Sequence, residues 1–288
     1  MVTEEALEAL DLLIWLGNGS HAGELAHCNQ STVSRRVQQT LATFNLKLHR
    51  VSEAWQMTGD PRLLRLERQL HQRCRFLGRQ ALRLQAPYWS SDALFNNLPP
   101  HWISNPFSIL GSAHHCLDLL EQRVVDACLA TLPERPASND TRFAWFDLFQ
   151  SPIHLVTSPE ARVSRITQPS RAEIGTHCHI ATFPFNPRAQ KQFIRGFYAH
   201  HFRPARTRRR ARHPDTDPVY FANSLMLKAL AVKIDVVRVK VAVPSHYVES
   251  LVVLHEHREE PAVAQLVELL RRQILELSRS ESQLIAIH

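Results

Sequence analysis

Ala22-Gly23-Glu24-Leu25-Ala26-His27-Cys28-Asn29-Gln30-Ser31-Thr32-Val33-Ser34-Arg35 is the stretch on which the reading of this chain turns. Cys28-Asn29 interrupts a short apolar-periodic segment that Ser20 can cap. Asn29 or Ser31 can then cap a new helix running from Thr32 to about Phe44, with Val33, Val37 and Leu41 as its buried stripe. The opposite face carries Ser31, Thr32, Ser34, Arg35, Arg36, Gln38 and Gln39, the side-chain types that hydrogen-bond base edges and phosphates. Upstream, Leu7, Leu10, Leu13 and Ile14 recur at helical spacing and Gly17-Asn18-Gly19 ends that helix. Downstream, Asn45 stands where a left-handed cap is expected, and Leu46 to Trp55 is short and partly alternating, which suits a small β-wing. Three short helices and a wing describe a winged helix-turn-helix.

Charge supports this order. The chain has 288 residues and a formal net charge of +7. Residues 1–29 hold five acids and no Lys or Arg, whereas residues 30–87 hold eleven bases against Glu53, Asp60 and Glu67. Between Gln30 and Arg50 there are four bases and no acid, the footprint expected for a phosphate backbone.

The remainder reads as α/β. Pro61 opens a long helix in which Leu63, Leu66, Leu70, Cys74, Leu77 and Ala81 form a narrow apolar stripe between Arg and Gln flanks. Such a stripe predicts a linker helix over 61–85 that pairs protomers through Leu63, Leu66, Leu70 and Leu77. Beyond it, strand candidates (82–86, 107–110, 124–131, 153–157, 180–183, 237–243, 251–254) alternate with helix candidates (113–123, 225–232, 261–277), which predicts largely parallel sheets. Eight glycines and no Gly-x-Gly-x-x-Gly or Walker-type loop argue against a nucleotide cradle. No Gly-x-Ser-x-Gly elbow or His-Glu-x-x-His is present, so the expectation is a non-enzyme without a cofactor. Five cysteines form no disulfide framework, no run approaches a membrane span, and the acidic first ten residues do not fit a secretory signal; the expectation is a cytoplasmic protein.

The stretch from Ala22 to Arg35 resembles the LysR-type transcriptional regulators, whose pattern there is Ala-Ala-Glu-x-Leu-x-Val-Ser-Gln-Pro-Ala-Val-Ser-Arg. Ala22, Glu24, Gln30, Val33, Ser34 and Arg35 match in place. Leu46-Lys47-Leu48 and Met57-Thr58-Gly59-Asp60-Pro61 resemble the family's wing and linker entry, and Val125-Asp126-Ala127-Cys128-Leu129 its Leu-Asp-Leu-Ala-Ile strand. The departures are Ser31 for the usual Pro, a wing basic residue displaced by one in Leu48-His49-Arg50, Val237-Arg238-Val239 for a Gly-x-Gly, and Arg123 for a Gly.

The resemblance implies a winged helix over 1–60, the linker over 61–85 and an effector-binding part over 86–288. That part divides into two Rossmann-like subdomains like periplasmic binding proteins: the first about 86–150 and 245–288, the second about 151–244. It implies a homodimer or homotetramer on an interrupted palindrome in double-stranded DNA, contact with RNA polymerase, and a small-molecule effector between the subdomains. Gln30, Ser31, Thr32, Arg35 and Gln38 are the candidates for base contacts, and Ser34, Arg36, Lys47 and Arg50 for phosphate. Ser90, Ser91, Thr131, Asn223 and Ser224, at strand ends and helix starts, are the candidates for the effector. The alternative is a ligand-binding or interaction protein of the same fold that has lost specific DNA binding. His114-His115-Cys116 and His177-Cys178-His179 lack the second half of a metal site, and no metal is expected. Arg203 to Arg212 carries six Arg without an acid, read as a solvated loop.

Overall fold

A computed structural model describes residues 2–51, 54–87, 90, 93–95, 97–105, 116–131, 135–180, 216–231 and 235–287. The N-terminal unit is α1 (Glu4–Leu16), α2 (Gly19–Leu25), α3 (Gln30–Thr43), β1 (Lys47–Val51) and β2 (Ala54–Thr58). Local chemistry places each boundary. Thr3 caps α1 by accepting from the Ala6 N–H, and Gly17 ends the helix at φ 72°. Asn18, not Ser20, caps α2, its Oδ1 accepting from the N–H groups of Ser20 and His21. Asn29 caps α3 through the Thr32 N–H at 2.8 Å. The turn between α2 and α3 is tight: a Cβ on Gly23 would lie 2.5 Å from the Cys28 carbonyl oxygen. Asn45 takes the expected left-handed conformation at φ 51°, with Leu46 N–H bonding back to Leu41 O at 2.9 Å. Val33 and Val37 are buried as expected; the third buried position is Thr40, whose hydroxyl donates to Ala6 O at 2.9 Å.

The linker helix is shorter than the sequence predicts. Helix α4 spans Arg62–Phe76, Gly78 adopts φ 76°, and residues 82–85 are already strand β3 (Leu82–Gln85). Its sidedness is inverted as well. Leu64, Arg68, Gln72 and Arg75 are buried, while Leu63, Leu66, Leu70 and Leu77 are 58–64% exposed. The leucines thus stand outside and the arginines inside.

The rest holds two sheets. The first has order β12-β6-β11-β5-β3-β4 and the second β10-β7-β9-β8. The members not yet placed are β4 (Trp102–Ser104), β5 (Ala127–Thr131), β6 (Phe143–Pro152), β7 (His154–Thr157), β8 (Cys178–Ile180), β9 (Asp217–Ala222), β10 (Val237–Arg238), β11 (His246–Leu254) and β12 (Ile285–Ala286). The described helices among them are α5 (Cys116–Glu121), α6 (Arg171–His177), α7 (Ser224–Ala231) and α8 (Pro261–Ser280).

The sheets are mixed, not largely parallel: among the described residues β3 pairs in parallel with β4 and β5, and β8 with β9, while the other pairs in these sheets are antiparallel. The reason is the pair of long strands β6 and β11, which run antiparallel to one another and carry the chain into the second sheet and back. The 237–243 alternation yields only the two-residue β10, although Val239 is buried and Val241 and Val243 pack beside it. The candidate strand at 107–110 lies outside the described residues, as does 181–183 of another.

Alternation along the first sheet sorts its two faces. Leu82, Leu84, Leu129, Leu251 and Val253 pack with Val263, Leu266, Leu270 and Ile274 of α8. Cys128, Ala130, Val252 and Leu254 join a second cluster with Cys116, Leu119 and Leu120 of α5 and with Leu7, Leu10 and Trp15 of α1. No helix among the described residues is long and apolar enough to cross a membrane.

Candidate nucleic-acid interface and interior polar cluster

Along α3, Gln30, Ser31, Ser34, Arg35 and Gln38 are exposed, and Thr32 and Arg36 are half-buried. The exposed set shares one side of the helix, opposite Val33 and Val37. Two of them are held in place: Ser31 donates to Asn29 Oδ1 at 2.8 Å, and Gln30 Oε1 accepts from Ser20 Oγ at 3.3 Å. Arg36 leans back toward α2, with Nη1 3.8 Å from Cys28 Sγ, so it stands at the margin of this side. Lys47 and Arg50 are exposed on β1. Arg50 lies opposite Trp55 across the wing, its guanidinium 5.9 Å from the ring centroid. That is cation–π range, and it holds the arginine against the facing strand of the wing. Trp55 as a positioning residue was not foreseen; an Arg and a Trp on facing strands of a hairpin is the signal that could have found it.

The candidates in the α/β part converge inside the protein. Ser90, Thr131, Asn223 and Ser224 are all buried. Ser90 Oγ donates to Glu249 Oε1 at 3.1 Å, and Thr131 lies directly across from Glu249 in the β5–β11 ladder. Asn223 caps α7 by accepting from the Met226 N–H at 2.8 Å. Ser151 Oγ donates to Ser224 Oγ at 3.1 Å and accepts from Ser224 N–H at 3.2 Å. The two groups meet on neighbouring strands, because Ser151 pairs with Tyr247 and Phe149 with Glu249. Ser91 lies outside the described residues, as do Tyr88, Trp89 and the arginine run of 203–212.

Sequence reasoning missed Glu249, Ser151 and His154. A carboxylate inside the apolar run from Tyr247 to Leu254 was the available signal. His154 Nε2 is 3.5 Å from Ser224 Oγ; burial, then the charge of Arg238, pushes the ring down to about 4, which keeps it neutral at pH 7.

The histidine and cysteine clusters separate. Among the described residues no group of three or more His, Cys, Asp or Glu could hold a metal ion, and His114 and His115 lie outside them. Burial, and then Asp217, pushes the Cys178 thiol up to about 12. His257 is buried, stacked on Phe76 with centroids 4.1 Å apart.

No family model matches the chain, and no curated protein matches it. Solved structures do. A probable transcriptional regulator from Pseudomonas aeruginosa superposes with a TM-score of 0.50 at 16% identity over 94% of this chain and 97% of that one. A full-length OxyR variant from Pseudomonas aeruginosa gives 0.49 at 14% identity over 94% and 98%. The regulatory domain of MetR from Neisseria meningitidis, a LysR family regulator, gives 0.48 at 10% identity over 73% and 100%. At such identities the first likeness shows a shared fold.

Proposed function

We propose that the chain is a LysR-type transcriptional regulator that binds an interrupted palindrome in double-stranded DNA as a homodimer or homotetramer. The observation that carries this reading is the free side of α3, where Gln30, Ser31, Ser34, Arg35 and Gln38 stand exposed in an acid-free stretch that continues into the basic wing. In the major groove such a helix reads base edges with Arg and Gln and holds phosphates with Ser and Lys. Residues 1–60 form the reader. The segment from 61 to 81 is the linker, shortened from 85 because β3 begins at Leu82. The body divides near Pro152 and Ser245, where the chain leaves the first sheet after β6 and returns to it at β11. The exposed leucines of α4 face the second protomer. An effector bound among Ser90, Thr131, Glu249, Asn223 and Ser224 would favour one of two arrangements of the sheets and so alter the spacing of the paired readers. RNA polymerase is the partner through which that change acts on transcription.

Selection of bound duplexes from a random pool, repeated over a salt series, tests the reading. The expected result is an interrupted palindrome bound less tightly as salt rises. No enrichment at any salt, from folded dimeric protein, would favour the alternative of a ligand-binding protein that has lost its DNA function.

A further inference from the structure

We infer that α1 of the reader is clamped to the first sheet of its own chain by a buried ionic cluster, so that the reader, α4 and that sheet move as one body. The starting point is the inverted helix α4. Burying arginine is costly unless each guanidinium is paired and hydrogen-bonded, and here both buried arginines of α4 are paired. Arg68 Nε donates to Asp11 Oδ1 of α1 at 2.8 Å. Arg75 donates to both oxygens of Asp126, Nε to Oδ2 at 2.8 Å and Nη2 to Oδ1 at 2.9 Å, and its Nη2 also reaches the Arg123 carbonyl at 3.0 Å. Gln72 joins them, Nε2 donating to Asp126 Oδ1 at 3.1 Å. From the sheet, Arg83 lies 3.6 Å from Asp11 Oδ2 and 3.9 Å from Glu8, and its backbone N–H donates to Asp126 Oδ2 at 2.8 Å.

The cluster thus takes its charges from three places. The reader contributes Asp11 and the half-exposed Glu8, α4 contributes Arg68 and Arg75, and the body contributes Arg83 and Asp126. Lifting α1 away would leave Arg68 and Arg83 without Asp11 in a region where all three side chains are under 5% exposed. Apolar packing points the same way. Strand alternation turns Leu82 and Leu84 toward α8 and leaves Arg83 and Gln85 facing α1, and the apolar residues of α1 share one cluster with the same face of β5 and β11. For that face of the sheet, α1 serves as a covering helix.

One contact links this clamp to the interior cluster. Trp15 Nε1 of α1 donates to Gln85 Oε1 at 2.7 Å, and both residues are buried. Gln85 is the last residue of β3, five positions before Ser90. A shift of β3 at Gln85 would thus act directly on α1, which packs in one cluster with Val33 and Val37 of α3. The consequence for DNA rests on the proposed function; the clamp itself does not.

Native-state hydrogen exchange on the full-length protein tests it. In the wild type, amides of α1 and α3 should exchange within about threefold of those in β3 and β5. Trp15→Phe and the charge-neutral pair Asp11→Asn with Arg68→Gln should each speed α1 and α3 at least tenfold, and β3 and β5, where Gln85 and Arg83 lose a partner, by clearly less. Trp15→Phe keeps the test open should the charge pair fail to fold, since it removes one hydrogen bond and little volume. Wild-type α1 and α3 exchanging tenfold faster than β3 and β5 would overturn the clamp. Equal acceleration of all four elements in the variants would do the same, since it would mean a general loss of stability. Neither result depends on whether DNA is bound.

Discussion

Replacing Leu66 and Leu70 by Glu asks whether the outer side of α4 is the protomer interface. The two leucines are 64% and 58% exposed, so neither supports the fold of its own chain. The helix stays anchored by Leu64, Arg68, Gln72 and Arg75 on its buried side. Full burial of a leucine is worth about 1.5–3 kcal/mol, so covering these already half-exposed side chains returns roughly 1–2 kcal/mol each. A two-fold interface uses each position twice, which makes the loss about 4 kcal/mol at the low end, roughly a thousandfold in the dimer dissociation constant. Four like charges brought to the seam add to it. Sedimentation velocity over a concentration series measures the shift, and thermal melting of the monomer checks that folding is kept. A dimer of unchanged affinity in the double variant would refute the assignment of this stripe to the interface.

Gly23→Ala places a methyl 2.5 Å from the Cys28 carbonyl oxygen, a backbone atom that must move. It should cost about 1–3 kcal/mol in thermal unfolding and weaken DNA binding by tilting α3 against α2. Asp126→Asn leaves the Arg75 guanidinium buried without its counter-charge and should cost about 3–5 kcal/mol in urea unfolding; a loss under about 1 kcal/mol would mean water reaches the cluster. His154 titrates near 4 in the folded protein against an ordinary 6.5, so the unfolded chain binds the proton first as pH falls. Stability should be full above pH 6.5 and decline toward pH 4, and His154→Gln should flatten that decline in urea titrations at both ends. Arg35→Ala should lower specific DNA affinity by about 1–3 kcal/mol and relax preference at one base pair, whereas Arg36→Ala, with its guanidinium at Cys28, should act weakly and uniformly.

The local elements were legible because local chemistry decides them. The sequence predicts Ser20, not Asn18, at the start of α2 and runs the linker helix past Gly78, but Gly17, Asn29 and Asn45 act as expected, each within a few residues of its own position. The same holds for Arg123, which stands where the resembling family has glycine and does adopt φ 61°. Its side chain bonds Gln72 at 2.5 Å and pairs with Glu256, contacts that help hold a conformation disfavoured for a residue with a Cβ. The interior polar cluster was legible only in part. Ser90, Thr131, Asn223 and Ser224 could be guessed from strand ends, but the residues that join them come from strands β6 and β11, distant in sequence.

Neighbouring residues alone specify a winged helix followed by α/β elements, the acid-free exposed side of α3, and several of the points where helices start and stop, because capping, turn geometry and hydrophobic period act over a few positions. Which side of α4 is buried was settled only by folding. An apolar stripe normally turns inward, since burying leucine is favourable and burying arginine is not. Here Asp11 and Asp126, dozens of residues away on either side, supply the charges that make an arginine side tolerable inside, and the leucines are left outward. That choice depends on pairing across the chain, and no pattern within residues 62–76 encodes it.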